Sequence, residues 1–263
     1  PYLRCMIIRH RFLLAVMLVT GVLFAYISIK HPLIKGGVKG LASRAAVHAT
    51  SDPAAINLFM RRAKTSDSNL CLLKNEGAIL PLNDLEKNTT YLCMGDSSEA
   101  FRTTLTLYDS AKFLVKSSPM DRVRWDSIQT ERLVVSIHGR SLTKEKDWNA
   151  CFRTLATMPR FEEAILVVFG KLPETLSLPL TSFQAIVIGP DNTPFTQERA
   201  AQKLMGAIPF SGKTSTAMGS FPQGSGLGTE WNGRLRFAYP EEFGISKSSF
   251  DGIDQLAIKG IKA

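Results

Sequence analysis

The sequence predicts an α/β protein, a three-layer sandwich built on a mostly parallel sheet and preceded by an N-terminal transmembrane helix. Three observations support this fold class: short β-rich apolar runs at wide spacing, stretches with helical potential between them, and one long uncharged apolar segment near the N terminus. Continuous apolar strands separated by helices imply a parallel sheet that is covered on both faces. A chain of 263 residues can bury one core of roughly 150 to 200 residues.

The apolar segment covers residues 12–29, eighteen positions without a charge. This length just reaches the thickness of a bilayer. A cleavable signal usually has a shorter apolar region followed at once by a small-residue cleavage site, and YISIKHPL contains no such site. We therefore expect an uncleaved anchor in residues 1–30 and a linker in residues 31–50, with a cleaved signal or a buried helix as the alternatives.

The charge distribution also indicates that the chain binds a membrane. The chain has a formal net charge of +9, and residues 1–64 contain ten Lys and Arg against one acid, Asp52. Ten minus one is nine, so the rest of the chain is balanced, with 22 basic and 22 acidic residues. Because the basic excess flanks the apolar segment, the pattern favours a membrane surface and argues against nucleic acid.

The elements of the domain follow in chain order. Residues 51–73 predict a helix, with Ser51 or Asp52 as its cap and Pro53 in its first turn. The predicted strands are YLCMG, KFLVKS, RLVVSIHG, AILVVFG and AIVIGP, and the predicted later helices are AFRTTLTLY, KEKDWNACFRTLATM and TPFTQERAAQKLMG. Residues 171–182 are too short and too rich in proline for a full helix.

No cofactor or metal site is predicted. Gly212, Lys213 and Thr214 match the loose phosphate-loop signature, but a predicted helix precedes them and a Gly-rich stretch follows, the reverse of the strand-then-helix context that a nucleotide site needs. The four cysteines show no metal-ligand spacing, and we expect them to be buried as small apolar side chains: Cys5, Cys71, Cys93 and Cys151.

Candidate binding residues lie where predicted strands end. His138 and Arg140 follow one strand, and Asp191 and Asn192 follow another. Open parallel sheets bind their ligands at the carboxyl ends of the strands, so these four side chains are the candidate substrate-binding residues. The alternative for His138 is a histidine that only makes hydrogen bonds within a loop.

Ser141 and Lys144 have the Ser-x-x-Lys spacing of penicillin-binding serine hydrolases. Their usual partner motifs do not follow in the sequence, so a solvated turn before a helix is the default interpretation. A serine hydrolase that uses this pair is kept as one alternative function.

Four segments resemble a known family in order: LLKNEGAILPL at 72–82, AILVVFG at 164–170, TQERAAQKLMGAIPFSGK at 196–213 and FPQGSGL at 221–227. They are similar to the C-terminal α/β sandwich domain of glycoside hydrolase family three, in the bacterial β-N-acetylhexosaminidase branch. The resemblance covers residues 51–230, and it departs from the family where Thr214 and Ser215 replace the usual Leu-Pro. Residues 231–263 resemble the linker and the start of the β-lactamase-like serine hydrolase domain that is fused in this branch.

The resemblance implies a function as well as a fold. Family members hydrolyse O-glycosyl bonds with residues of a (β/α)8 barrel that precedes the sandwich domain, and about fifty residues precede the resemblance here. The expected function is therefore an accessory domain of a β-N-acetylhexosaminidase or β-glucosidase that is not catalytic by itself.

The expected partners are N-acetylglucosamine-type or glucoside sugars, a barrel in cis or in trans, and a membrane, with no nucleic acid or nucleotide. We expect the chain to be anchored in a bacterial inner membrane with the domain in the periplasm, although basic residues on both sides of the apolar segment leave its orientation open. The alternative from another functional class is a membrane-tethered module that binds carbohydrate or peptidoglycan.

Overall fold

A six-stranded sheet with helices on both faces forms the main part of the chain. A computed structural model describes residues 53–95, 97–110, 112–119, 121–139, 144–173, 181–245 and 250–262. The strands are β1 (Cys71–Asn75), β2 (Thr89–Gly95), β3 (Lys112–Lys116), β4 (Arg132–His138), β5 (Glu163–Phe169) and β6 (Ala185–Gly189). The helices are α1 (Pro53–Asn69), α2 (Glu99–Leu105), α3 (Glu145–Ala156), α4 (Pro194–Leu204) and α5 (Asp251–Lys262), and short 3-10 turns span Glu76–Ala78, Trp125–Ser127 and Pro240–Phe243.

The order of strands across the sheet is β1-β6-β5-β4-β2-β3. The five strands β2 to β6 pair in parallel, and β1 pairs with β6 in the antiparallel direction. All five predicted strands are present, and the mostly parallel sheet is confirmed.

The prediction for residues 71–73 was wrong. The first helix ends at Asn69, and the chain continues as the edge strand β1. Leu70 and Leu72 pack into the core on one face of the sheet, whereas Cys71 and Leu73 pack into the core on the other face. This alternation has the period of a strand, but a run of four apolar residues looks the same in a helix and a strand until its neighbours are known.

The core has two halves, one on each face of the sheet, so the predicted three layers are confirmed. Helix α3 covers one face with Trp148, Cys151, Phe152 and Leu155. The other face is covered by α2, through Phe101 and Leu105, and by α4, through Ala200, Ala201 and Leu204. The central strands β2 and β4 are buried along their whole lengths, as expected for a sheet with helices on both sides.

The described residues from 53 to 245 form one compact unit, and residues 250–262 belong to a second unit. In the second unit, α5 leaves four large apolar side chains exposed: Ile253, Leu256, Ile258 and Ile261. No helix within the described ranges is both long and apolar enough to cross a membrane. The segment predicted as an anchor, residues 12–29, lies outside the described residues.

An ion network joins the amino ends of β4 and β5. One carboxylate oxygen of Glu163 accepts a hydrogen bond from Arg132 Nε at 2.6 Å, and the other accepts one from Lys87 Nζ at 2.6 Å. Arg132 is 3% exposed and also donates to the carbonyl of Asp84 at 2.7 Å. Burial pushes the pKa of Glu163 upward, but the hydrogen bonds from Lys87 and Arg132 outweigh it, so the pKa is lower than usual.

This network predicts a pH-dependent contribution to stability. Because the pKa of Glu163 is depressed in the folded state, its contribution is present above the unfolded value of about 4.3 and is lost as the pH falls through the folded value. We expect Glu163→Gln to lower the free energy of unfolding at neutral pH by about 2 kcal/mol, since it leaves Arg132 poorly paired. The difference from the parent should shrink in acid.

Urea titrations of both proteins across the pH range measure this effect. Glu162→Gln is the matched control, because Glu162 is 61% exposed and bonds the same Lys87, so its loss should cost about 0.5 kcal/mol or less. Equal losses in the two variants would contradict the assignment.

Candidate functional site at the carboxyl edge of the sheet

The sheet has a topological switch point between β2 and β4. From β2 the chain moves to β3 at one edge, whereas from β4 it proceeds through β5 and β6 toward the other edge. Gly95 at the end of β2 pairs with His138 at the end of β4. Ligands of open α/β sheets bind outside the carboxyl ends of the strands at such a point, so this edge is the candidate functional site.

His138 is fully buried at this edge. Its ring stacks on Phe169, with centroids 4.8 Å apart, and meets Phe101 edge-on at 5.9 Å. Nδ1 lies 2.9 Å from Asn192 Oδ1, and Nε2 lies 3.1 Å from Ser136 Oγ. Both ring nitrogens are therefore engaged within the protein.

The tautomer of His138 follows from a chain of hydrogen bonds. The backbone N–H of Phe101 can only donate, so the atom of Gln197 that lies 3.1 Å away is its oxygen. Gln197 Nε2 then donates to Asn192 Oδ1 at 2.9 Å, which makes that oxygen an acceptor for His138 Nδ1–H as well. His138 Nε2 is left as the acceptor for the Ser136 hydroxyl.

Gln197 also caps helix α2. Phe101 is in the first turn of α2, where backbone N–H groups have no partner inside the helix. The side chain of Ser98, the N-cap residue, makes no capping bond, and Gln197 from α4 accepts from Phe101 instead. Gln197 Nε2 further donates to the carbonyl of Ser97 at 2.7 Å, so one side chain fixes the loop before α2 to the start of α4.

The environment of His138 holds the ring neutral. Burial lowers its pKa to about 4, the hydrogen bond with Asn192 opposes this shift, and the positive charge of Arg102 adds to it. A neutral imidazole with both nitrogens bonded inside the protein has no free lone pair or proton for a substrate. His138 thus lies at the predicted edge, but its interactions are with the protein interior.

The other predicted residues are distributed around His138. Asn192 contacts it directly, as described. Asp191 is exposed, and its Oδ1 accepts from the backbone N–H and the hydroxyl of Thr193, at 2.9 and 2.7 Å. Arg140 lies outside the described residues. A substrate-binding role for His138, Arg140, Asp191 and Asn192 remains a prediction.

Glycines end all four central strands of the site, and two of them are closely packed. A Cβ on Gly139 would lie 2.5 Å from the ring of Trp148, and a Cβ on Gly95 would lie 2.4 Å from the carbonyl of His138. A side chain at either position would therefore collide with the protein. Trp148 has no hydrogen-bond partner for its indole nitrogen and is fully buried.

Reasoning from sequence missed Gln197, Ser136 and Trp148. Gln197 and Trp148 lie in amphipathic helices where they look like ordinary polar and apolar face residues. One signal was available in the sequence: a glycine recurs at the ends of the strands, in MG, HG, FG and IG. Such glycines indicate that neighbouring atoms pack closely against the backbone there.

The cysteines and the Ser141/Lys144 pair were the other candidates for chemistry. Cys71, Cys93 and Cys151 are buried, as predicted, and Cys5 lies outside the described residues. Burial raises the pKa of Cys71 to about 11 and of Cys151 to about 12. Ser141 lies outside the described residues, and Lys144 is an exposed residue directly before α3. Among the described residues no group of His, Cys, Asp and Glu side chains could hold a metal ion.

The residues of the phosphate-loop signature are held in an irregular loop that follows α4. The Thr214 backbone N–H donates to the carbonyl of Ser225 at 2.8 Å, and its hydroxyl donates to the carbonyl of Pro222 at 3.1 Å. Lys213 Nζ donates to the carbonyl of Gly226. These groups bind the neighbouring loop.

No protein-family model matches the chain, and no curated protein matches it. The solved structures to which it is similar include a β-glucosidase from Listeria innocua, with 16% identity and a TM-score of 0.47 over 62% of this chain and 27% of that one. Another is a glycoside hydrolase family 3 β-N-acetylglucosaminidase from Paenibacillus sp. str. FPU-7, with 17% identity and a TM-score of 0.43 over 65% and 32%. A fungal multi-domain GH3 β-N-acetylglucosaminidase has 10% identity and a TM-score of 0.41 over 56% and 17%. The chain thus spans less than a third of the length of these glycosidases.

The buried neutral histidine predicts a second pH-dependent term in stability. The unfolded pKa is about 6.5, and the folded pKa is about 4. Between these values the unfolded chain binds a proton that the folded chain does not, so stability rises with pH and is lost as the pH falls from 6.5 to 4. The expected loss is on the order of 3 kcal/mol.

Long-range ¹H–¹⁵N NMR of the imidazoles, together with denaturation at pH 4 to 7, tests this prediction. We expect His138 to carry its proton on Nδ1 at neutral pH and to titrate near 4. His138→Gln is the control, since it should remove the pH step between 4 and 6.5. Titration of the His138 ring near 6.5 would contradict the buried assignment.

Proposed function

We propose that residues 51–230 are the accessory α/β sandwich domain of a family-three glycoside hydrolase of the β-N-acetylhexosaminidase or β-glucosidase type. In this proposal the domain has no glycosidase activity of its own. Catalysis belongs to a (β/α)8 barrel that is supplied in cis or in trans, and the sugar substrate is an N-acetylglucosamine-type or glucoside unit.

One observation carries the proposal: segments that resemble the family but are far apart in sequence meet around β1. The Leu227 backbone N–H donates to the carbonyl of Leu72 at 2.7 Å, and the Lys213 N–H donates to the carbonyl of Ser68 at 3.1 Å. A Cβ on Gly212 would lie 2.2 Å from the carbonyl of Leu70, so glycine is required there. The family-like segments therefore occur together in the sequence because they pack against one another in one fold.

The most specific motif residues also act within the fold. In LLKNEGAILPL, Asn75 both donates to the carbonyl and accepts from the N–H of Leu80, each at 3.0 Å, which closes the turn after β1. Leu80 and Leu82 are at most 2% exposed in the core. In the helix motif, Lys203 Nζ donates to the carbonyl of Pro209 at 2.8 Å and so fixes the chain after α4. These residues stabilise a domain and do not form a catalytic pair.

The candidate edge supports a non-catalytic role for the same reason. Retaining glycosidases need a nucleophile and an acid about 5 Å apart, both accessible to the sugar. The one described histidine at this edge is buried and neutral, and both of its nitrogens are bonded. The family-like motif residues and His138 all make their contacts inside the domain. This is consistent with an accessory domain.

The membrane location and the carbohydrate partner belong to the same proposal. Residues 12–29 would anchor the chain in a bacterial inner membrane with the domain outside. A carbohydrate-binding module remains the second hypothesis, and the exposed carboxylate of Asp191 is the feature that favours it. Isothermal calorimetry with N-acetylglucosamine oligomers separates the two, because binding without a barrel supports the module only.

Activity assays on the purified 263-residue chain test the proposal most simply. We expect no turnover of aryl N-acetylglucosaminides or aryl glucosides above the background of a mock purification. The physical reason is that the carboxylate pair is supplied by the barrel. Turnover that co-purifies with the chain and is lost in Asp191→Asn would refute the accessory role, and labelling by a penicillin probe that is lost in Ser141→Ala would favour the Ser141/Lys144 hydrolase.

A further inference from the structure

Residues 231–245 are the last segment of the compact unit that contains the sheet, and we call them the strap. The guanidinium of Arg234 donates to three backbone carbonyls, those of Leu82, Asn83 and Met205. Met205 is the C-cap residue of α4, where the last carbonyls have no partner inside the helix. A positive charge is favourable at this end of a helix, so Arg234 fixes the start of the strap to α4.

From there the strap follows α4 back toward the N-terminal part of the helix. The Phe237 N–H donates to Gln202 Oε1 at 2.8 Å, and the Tyr239 hydroxyl donates to Glu198 Oε2 at 2.7 Å. Both of these α4 side chains are buried, although glutamine and glutamate are usually exposed. The strap thus covers a polar face of α4.

An ion pair between Glu242 of the strap and Arg199 of α4 lies farther along this contact, with side chains that are 7% and 2% exposed. Removal of such charges from water costs free energy that their mutual attraction offsets only in part. In the described part of the chain, most of the buried side-chain polar atoms without a hydrogen-bond partner lie in or beside this contact: Arg199 Nε and Nη1, Glu241 Oε1, and Asp67 Oδ1, which is 3.9 Å from Arg199 Nε. Opening the contact would return these groups to water.

The strap makes few apolar contacts with the rest of the unit. All of residues 231–245 are described, and none of their side chains belongs to either half of the core. Phe237 meets the ring of Tyr108 at 5.5 Å, and Tyr239 meets that of Phe59 at 5.1 Å, but both partner rings are only partly buried. The strap is therefore held mainly by hydrogen bonds and one ion pair.

We propose that the strap is a clasp that opens as one unit while the sheet stays folded. Opening breaks no strand pairing, because the strap contains no strand, and it removes no side chain from the core. The free energy of opening therefore lies below that of global unfolding, in the range from which moving elements are drawn. Opening uncovers the face of α4 that bears Glu198, Arg199 and Gln202. The proposal does not depend on the glycosidase assignment.

Native-state hydrogen exchange of the full chain, followed by NMR, tests the proposal. We expect the Phe237 and Tyr239 amides to show one common protection factor, about 100-fold lower than that of Val134 in the central strand β4. Exchange of the two strap amides should depend little on added urea, because opening exposes little surface.

A core variant separates opening of the strap from global unfolding. Ile165 is fully buried in β5 and does not belong to the strap. Ile165→Val should speed exchange of the Val134 amide about 5-fold. It should leave the Phe237 amide unchanged, because the core stays intact when the strap opens.

A strap variant changes the opening itself. Glu242→Gln removes the ion pair with Arg199 and should speed exchange of the Phe237 amide about 10-fold. Glu230→Gln is the matched control, since Glu230 is an exposed carboxylate directly before the strap, and it should have no effect. If Glu242→Gln does not fold, Tyr239→Phe removes only the hydroxyl that bonds Glu198, and it should speed the same exchange about 5-fold.

Three results would overturn the proposal. The first is equal protection of the Phe237 and Val134 amides in the parent, and the second is faster exchange of the Phe237 amide in Ile165→Val. Each would mean that the strap opens only with the whole domain. The third is unrelated protection of the Phe237 and Tyr239 amides, which would mean that the strap frays residue by residue. Turnover of an aryl glycoside bears on the proposed function alone.

Discussion

The carboxyl edge of the sheet depends on one buried chain of hydrogen bonds, from the Phe101 N–H through Gln197 and Asn192 to His138 and Ser136. Each bond determines the direction of the next, because the first donor is a backbone N–H that cannot accept. These hydrogen bonds link the start of α2, the start of α4, the loop after β6 and the end of β4. Buried polar groups of this kind are stable only when all of them are paired. Removal of one member would thus leave several others without partners.

This constraint decides what the edge can do chemically. A histidine at the end of a parallel strand is the natural candidate for an acid or base, yet here both of its nitrogens bond the protein and its pKa is shifted to about 4. At the opposite edge, Glu163, Arg132 and Lys87 form the second polar cluster. The sheet thus has polar contacts at both ends and an apolar core between them.

Much of the fold was predictable from local patterns. Strands such as AILVVFG and AIVIGP are apolar throughout and end in glycine, so their type and parallel pairing could be predicted without neighbours. Strand β1 could not be predicted in this way. The four-residue run from Leu70 to Leu73 fits the end of a helix equally well until its antiparallel pairing with β6 is known. His138 was correctly placed at a strand end. Its burial was not predictable, because Phe101, Phe169 and Asn192 contact it from three distant segments and no local spacing reports such a contact.

Native-state hydrogen exchange at the Phe101 amide reports directly on the buried hydrogen-bond series, because this N–H is its first donor. We expect this amide to exchange only through global unfolding, with a protection free energy equal to that from denaturant titration. In Gln197→Ala it should exchange by local opening, whereas the Arg102 amide, which donates to the carbonyl of Ser98 at 3.1 Å, serves as the internal reference. Rapid exchange of the Phe101 amide in the parent, or exchange that Gln197→Ala leaves unchanged, would contradict the claim that this buried chain holds the carboxyl edge together.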